Sequence, residues 1–158
     1  MKKIRAALVH GWNVRDRGAG TIDTLAPILE SFGWEVDTDQ ADYGYIFWIM
    51  FTVLGRWLFA KRIIKRLIPA FEQADVIITH SNGAYFANTA LSYLQPQYNN
   101  TKTVIHISPA LNKKTEPALA IGKQLVIHTR KDSAVKFAEW IPLSPWGSMG
   151  AYGYQGYN

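Results

Sequence analysis

The run Ala74-Asp75-Val76-Ile77-Ile78-Thr79-His80-Ser81-Asn82-Gly83-Ala84 constrains this chain more than any other stretch. Residues 75–79 form a short β-branched, apolar segment, which reads as a buried strand. The strand runs straight into a serine, and a helix begins within a residue or two. Ala84, Ala87, Ala90, Leu91 and Leu94 recur near one helical face, so the helix is expected over 83–94. Small residues around Ser81 let the chain turn sharply. Such a turn lifts the hydroxyl clear of the sheet and aims the first free N–H groups of the helix at the same point. Those N–H groups and the helix dipole can hold a developing oxyanion.

The remaining sequence repeats this strand-then-helix rhythm, the mark of an α/β fold with a mostly parallel sheet. Strands are expected near 4–9, 34–37, 75–79, 103–107 and 124–129, with Ser81 at the tip of the third. Apolar residues at helical spacing span 22–32, with Gly33 as a stop. Lys61 to Phe71 is amphipathic: Ile63, Ile64, Leu67, Ile68 and Phe71 share one face, and Lys61, Arg62, Lys65 and Arg66 the other. Pro69 is expected to kink or restart that helix. Another helix is expected over 134–141. The tail 144–158 is rich in Gly and aromatics and has no clear period. Residues 46–59 are almost continuously apolar, but Gly55 and Arg56 interrupt them, and a membrane span needs about 20 such residues. They read as a buried helix, or as a cap over a cleft spanning 43–60. No repeat or linker divides the 158 residues, so a single domain is expected.

The turn Thr79-His80-Ser81-Asn82-Gly83 resembles the nucleophile elbow G-x-S-x-G of the α/β-hydrolase family, with Thr79 in place of the first Gly. Two other segments extend the resemblance over roughly residues 4–141. Ala7 to Asn13 is a strand ending in His10-Gly11, and Gln124 to Val135 is a strand followed by a loop carrying Asp132. The resemblance implies a three-layer α/β-hydrolase-like fold and a serine esterase in which Ser81 is the nucleophile. It also implies that Asp132 is the acid and that the backbones of Trp12 and Asn82 form the oxyanion hole. His10 would then support its loop rather than act as base. Blander readings stand beside these. Ser81 could be a helix N-cap, Asp132 a solvated partner of Arg130 or Lys131, and His10 a satisfied histidine at a strand end.

The family runs Ser, then acid, then His along the chain. Here His10, His80, His106 and His128 all precede Asp132, and none follows it. Three explanations compete. In the first, the Gly-rich end is cut short of the histidine loop. In the second, an existing histidine serves, with His106 and His128 near strand ends; His80 is disfavoured because adjacent strand residues point to opposite faces. Or the fold persists without the chemistry. Weak esterase activity, or none, is the expectation for the chain as it stands.

Composition narrows the rest. The absence of cysteine excludes a disulfide framework, a thiolate metal site and a Cys nucleophile. No Walker loop or dinucleotide Gly pattern is present, so no cofactor and no metal are expected. The net charge is +5, but the cations are not interleaved with a nucleic-acid motif, and no nucleic acid is expected. The apolar stretch 6–9 is too short for a signal peptide, which points to a cytoplasmic protein. The substrate expected is a small-molecule carboxylic ester, its acyl or aromatic part lying under the apolar segment 46–59. The alternative is a non-catalytic α/β-hydrolase-fold binding module, or a membrane-surface protein using the basic face of 61–66.

Overall fold

The computed structural model describes residues 3–11, 21–38, 53–94, 102–132, 136 and 146–156. The strands are β1 (Arg5–Val9), β2 (Glu35–Asp37), β3 (Val76–His80), β4 (Lys102–Ile107) and β5 (Ile121–Ile127). The helices are α1 (Ala26–Ser31), α2 (Val53–Gln73), α3 (Gly83–Tyr93) and α4 (Met149–Tyr152). The strands form one sheet in the order β2-β1-β3-β4-β5, and every pairing is parallel. All five strands therefore end on the same edge. The strand order reverses between β1 and β3, the position at which open α/β sheets commonly bind ligands.

Alternation along the strands supplies two apolar faces. Ala7, Val9, Ile77 and Val104 face α2 and α3, where Leu67, Phe71, Phe86, Ala87, Ala90 and Leu91 are buried with them. Ala6, Leu8, Val76 and Ile78 face the other way, against Ile22, Leu25 and Leu29. Helices on both faces of a parallel sheet make this a three-layer α/β protein. In α2, Ile63, Ile64, Leu67 and Phe71 are buried while Lys61, Arg62, Lys65 and Arg66 are exposed, as the amphipathic pattern requires.

The departures from expectation have local causes. The helix expected from residue 22 opens as a 3-10 turn, Ile22–Leu25, before α1. Pro27 has no N–H to give the Asp23 carbonyl, so α-helical bonding cannot extend back. Pro69 neither stops nor restarts α2, which runs through it. Pro69 and Lys65, whose carbonyl a proline at 69 cannot bond, are both exposed residues. Gly33, at φ 82°, ends α1 as expected: Trp34 N–H donates to the Leu29 carbonyl at 3.2 Å and Gly33 N–H to Glu30 at 2.8 Å. β5 begins at Ile121, ahead of the expected 124, because Ile121 and Lys123 pair with Lys102 and Thr103. Only from residue 53 onward is the expected cap segment 43–60 described. The expected helix 134–141 lies outside the described residues except for Lys136.

The edge opposite the strand ends is tied together by two side chains. Lys102 Nζ donates to the Glu72 and Ala74 carbonyls at 3.0 and 2.6 Å, capping α2 where its dipole is negative. Asp75 Oδ2 accepts from Arg5 N–H at 3.0 Å, and its carbonyl accepts from Thr103 N–H at 3.1 Å.

Candidate active site

Ser81 follows the last residue of β3 and takes φ 51°. A non-glycine residue in this left-handed region costs roughly 1–2 kcal/mol, so its neighbours must hold it there. Three hydrogen bonds do so. Ser81 N–H donates to the Ile107 carbonyl at 3.0 Å, and the Ser81 carbonyl accepts from Ala84 N–H at 3.2 Å and Ala110 N–H at 3.0 Å. The turn is thereby clamped to the end of β4 on one side and to the start of α3 on the other.

Two glycines make the approach of β1 possible. A Cβ on Gly83 would stand 2.4 Å from the His10 carbonyl oxygen and 2.7 Å from that of Val9. Any side chain there would drive α3 off the sheet. A Cβ on Gly11 would stand 3.0 Å from both His80 Nδ1 and Ser81 Cβ. The loop leaving β1 thus touches the serine turn directly. His10 is buried and its Nδ1–H donates to the Gly11 carbonyl at 2.7 Å.

Asn82 stands at the N-cap of α3 and is buried. Its carbonyl accepts from Tyr85 N–H at 3.1 Å, and its own N–H precedes the first helical hydrogen bond, where donors have no partner inside the helix. Both polar atoms of its side chain are buried without a hydrogen-bond partner among the described residues. Trp12 lies outside the described residues. Asp132 follows β5 on the same edge of the sheet as Ser81. It is half-buried, in a turn closed by its N–H to the Thr129 carbonyl at 3.1 Å.

The position that departs from the elbow pattern, Thr79, has its side chain on the α3 face. It is fully buried there and shares a 2.7 Å hydrogen bond with His106 Nδ1. Burial lowers the His106 pKa to about 4, so this imidazole is neutral in the core. His128 is exposed and packs against Gly153, whose Cβ would meet its Nε2 at 3.1 Å.

His106 Nε2 is buried without a hydrogen-bond partner among the described residues, and His80 Nδ1 shares that feature. Burial lowers the His80 pKa from the ordinary 6.5, the Asp132 charge pulls it back up, and His10 lowers it. A cavity of about 310 Å³ is lined by His80, Ile107, Thr21, Ile22, Thr24 and Leu25. It lies between the 3-10 turn and the ends of β3 and β4, and its volume is at the small end of ligand pockets.

Ser108, the residue after β4, repeats the geometry of Ser81. It has φ 45°, and its N–H donates to the Ile127 carbonyl at 2.8 Å. The tail packs onto the loop that follows it. Gly147, Met149 and Gly150 N–H donate to the carbonyls of Ala110, Leu111 and Pro109 at 3.4, 2.9 and 2.8 Å. Sequence reading missed this contact. Its signals were the Ser-Pro pair at a strand end and two glycines, Gly147 and Gly150, each allowing a backbone approach.

No protein-family model matches the chain, and no curated protein matches it. Among solved structures, a "putative hydrolase of the alpha/beta superfamily" from Xanthomonas campestris pv. campestris is similar. Its TM-score is 0.45 and its identity 18%, over 88% of this chain and 95% of that one. The parallel α/β architecture stands on the strand order and register, independently of that likeness.

Proposed function

We propose that the chain is a serine hydrolase-like protein that acts on a carboxylic ester through Ser81. The observation that carries this reading is the left-handed Ser81 turn, φ 51°, between β3 and α3. Ser108 carries the same strain, but only the Ser81 turn leads into a helix N-terminus, and there Asn82, not Ser81, precedes the first helical residue. Strain retained at an exposed edge of a sheet is a common property of functional sites.

In this reading Ser81 Oγ attacks the ester carbonyl and forms an acyl-enzyme, which water then hydrolyses. The N–H of Asn82 faces the developing oxyanion, with the N–H of Trp12 as second donor. Asp132 supplies the negative charge that favours an imidazolium during proton transfer. The mainly apolar walls of the cavity suit a short acyl or aryl group. Hydrolysis of a short-chain p-nitrophenyl ester tests the proposal: turnover lost in Ser81→Ala supports it, and turnover unchanged in that variant rejects it.

A second reading, a non-catalytic module at a membrane surface, draws on the exposed basic face of α2, Lys61, Arg62, Lys65 and Arg66. No helix among the described residues is long and apolar enough to cross a membrane. Co-sedimentation with anionic vesicles separates the two readings, since the esterase reading requires no lipid.

A further inference from the structure

Strand alternation sets adjacent side chains on opposite faces, which argues against a partnership between His80 and Ser81. That rule ends where the strand ends. β3 stops at His80, and the next residue turns into the left-handed region at φ 51°. His80 Nδ1 and Ser81 Cβ consequently border the same spot, each 3.0 Å from where a Cβ on Gly11 would stand. Gly11 has no such atom, which lets its backbone lie against both the imidazole and the serine.

Three further observations concern the same ring. Its Nδ1 is buried and has no hydrogen-bond partner among the described residues, a costly state for a nitrogen with only a structural role. The residue lines the cavity at the strand ends. Asp132, from the loop after β5, acts on it electrostatically. His106 Nε2 is buried and unpartnered among the described residues too, but its ring is fixed to Thr79 through Nδ1 within the core and His128 packs against Gly153, whereas His80 Nδ1 borders Ser81.

We propose that His80 is the base for Ser81, taking the place of a histidine downstream of the acid. The proposal rests on the reading of Ser81 as a nucleophile. The Ser81 Oγ–H proton passes to His80 Nδ1 as Oγ bonds to the ester carbonyl carbon. The C–O bond to the alcohol then breaks, and the imidazolium returns the proton to the departing alkoxide. Water attacks the acyl-serine, gives a proton to His80, and releases the acid as Ser81 recovers its hydrogen. The carboxylate of Asp132 stabilises the imidazolium in both halves. Serine and base are not hydrogen-bonded at rest, and such bonds often tighten only once substrate is bound.

The test is the rate at which a fluorophosphonate labels Ser81 in the full chain, measured against pH. His80→Gln is expected to slow labelling by at least about 100-fold, while His128→Gln leaves it unchanged. The wild-type rate should fall on acidification with a midpoint below 6.5, because the ring accepts a proton only when neutral and burial lowers its pKa. Among the described residues, Asp132 raises that pKa and His10 lowers it. Asp132→Asn should therefore move the midpoint to lower pH. This shift is read in a folded protein even if His80→Gln fails to fold. Exogenous imidazole should partly restore labelling of His80→Gly. Full labelling in His80→Gln, or a midpoint near 4 that ignores Asp132→Asn, overturns the assignment and leaves Ser81 as nucleophile. No labelling of the wild type overturns both.

Discussion

Thr79 and His106 stand directly opposite each other on adjacent parallel strands and share a 2.7 Å hydrogen bond beneath the turn that carries Ser81. Both side chains are fully buried. The hydroxyl that replaces a glycine in the elbow pattern is thus accommodated by a histidine across the ladder. Removing the hydroxyl alone leaves a buried ring nitrogen without a partner, which costs about 1–3 kcal/mol. Thr79→Val should lower stability by that amount in denaturant unfolding, although valine is nearly the same size.

The same pair makes stability depend on pH. His106 titrates near 6.5 when unfolded and at about 4 when folded, so at intermediate pH the unfolded chain binds more protons. The stabilisation is complete above 6.5 and is lost as pH falls toward 4, by up to about 3 kcal/mol. His80 is shifted in the same direction and adds to the slope. Replacing both partners by apolar residues, Thr79→Val with His106→Leu, should flatten the melting temperature between pH 7 and 4.5 relative to wild type. It should also cost less than the single hydroxyl deletion, because no buried polar atom is orphaned.

Gly83 and Gly33 predict different penalties for the same substitution. Gly83→Ala would place a Cβ 2.4 Å from a backbone oxygen, a clash that backbone movement must relieve at a cost of about 2 kcal/mol or more. Gly33 has open space around it but φ 82°, so Gly33→Ala should cost only the strain of that conformation, about 1–2 kcal/mol. Gly83→Ala should also slow labelling of Ser81, because α3 and its free N–H groups shift. Gly33→Ala should not.

The tail should be coupled to the serine turn. A Cβ on Gly150 would lie 2.5 Å from the carbonyl carbon of Ser108, and the loop after Ser108 supplies the Ala110 N–H that holds the Ser81 carbonyl. Gly150→Ala should therefore reduce Ser81 reactivity as well as stability. A loss of melting temperature with unchanged labelling would show the two are independent.

Much of this architecture is legible along the chain. The five strand positions and the two faces of α2 follow from apolar period, because burial on a sheet or helix face leaves that signature. The Ser81 turn is legible because a β-branched run meets small residues abruptly. What stays hidden is what depends on other segments. The Thr79–His106 bond joins residues on two strands, and the start of β5 is set by its register with Lys102. The tail, with no period of its own, is ordered by the loop after β4. The position of His80 beside Ser81 is hidden for a different reason: alternation holds only while the strand lasts, and its last residue is His80.

The central claim, that Ser81 is a nucleophile, is tested most directly by mass spectrometry of the chain after reaction with a fluorophosphonate. Trypsin leaves Ser81 in the peptide 67–102, bounded by Arg66 and Lys102. One phosphonyl group is predicted on that peptide, at Ser81 by fragmentation, and it should be absent in Ser81→Ala. A folded wild-type chain that carries no adduct, or one whose adduct persists on another residue when Ser81 is replaced, would contradict the claim.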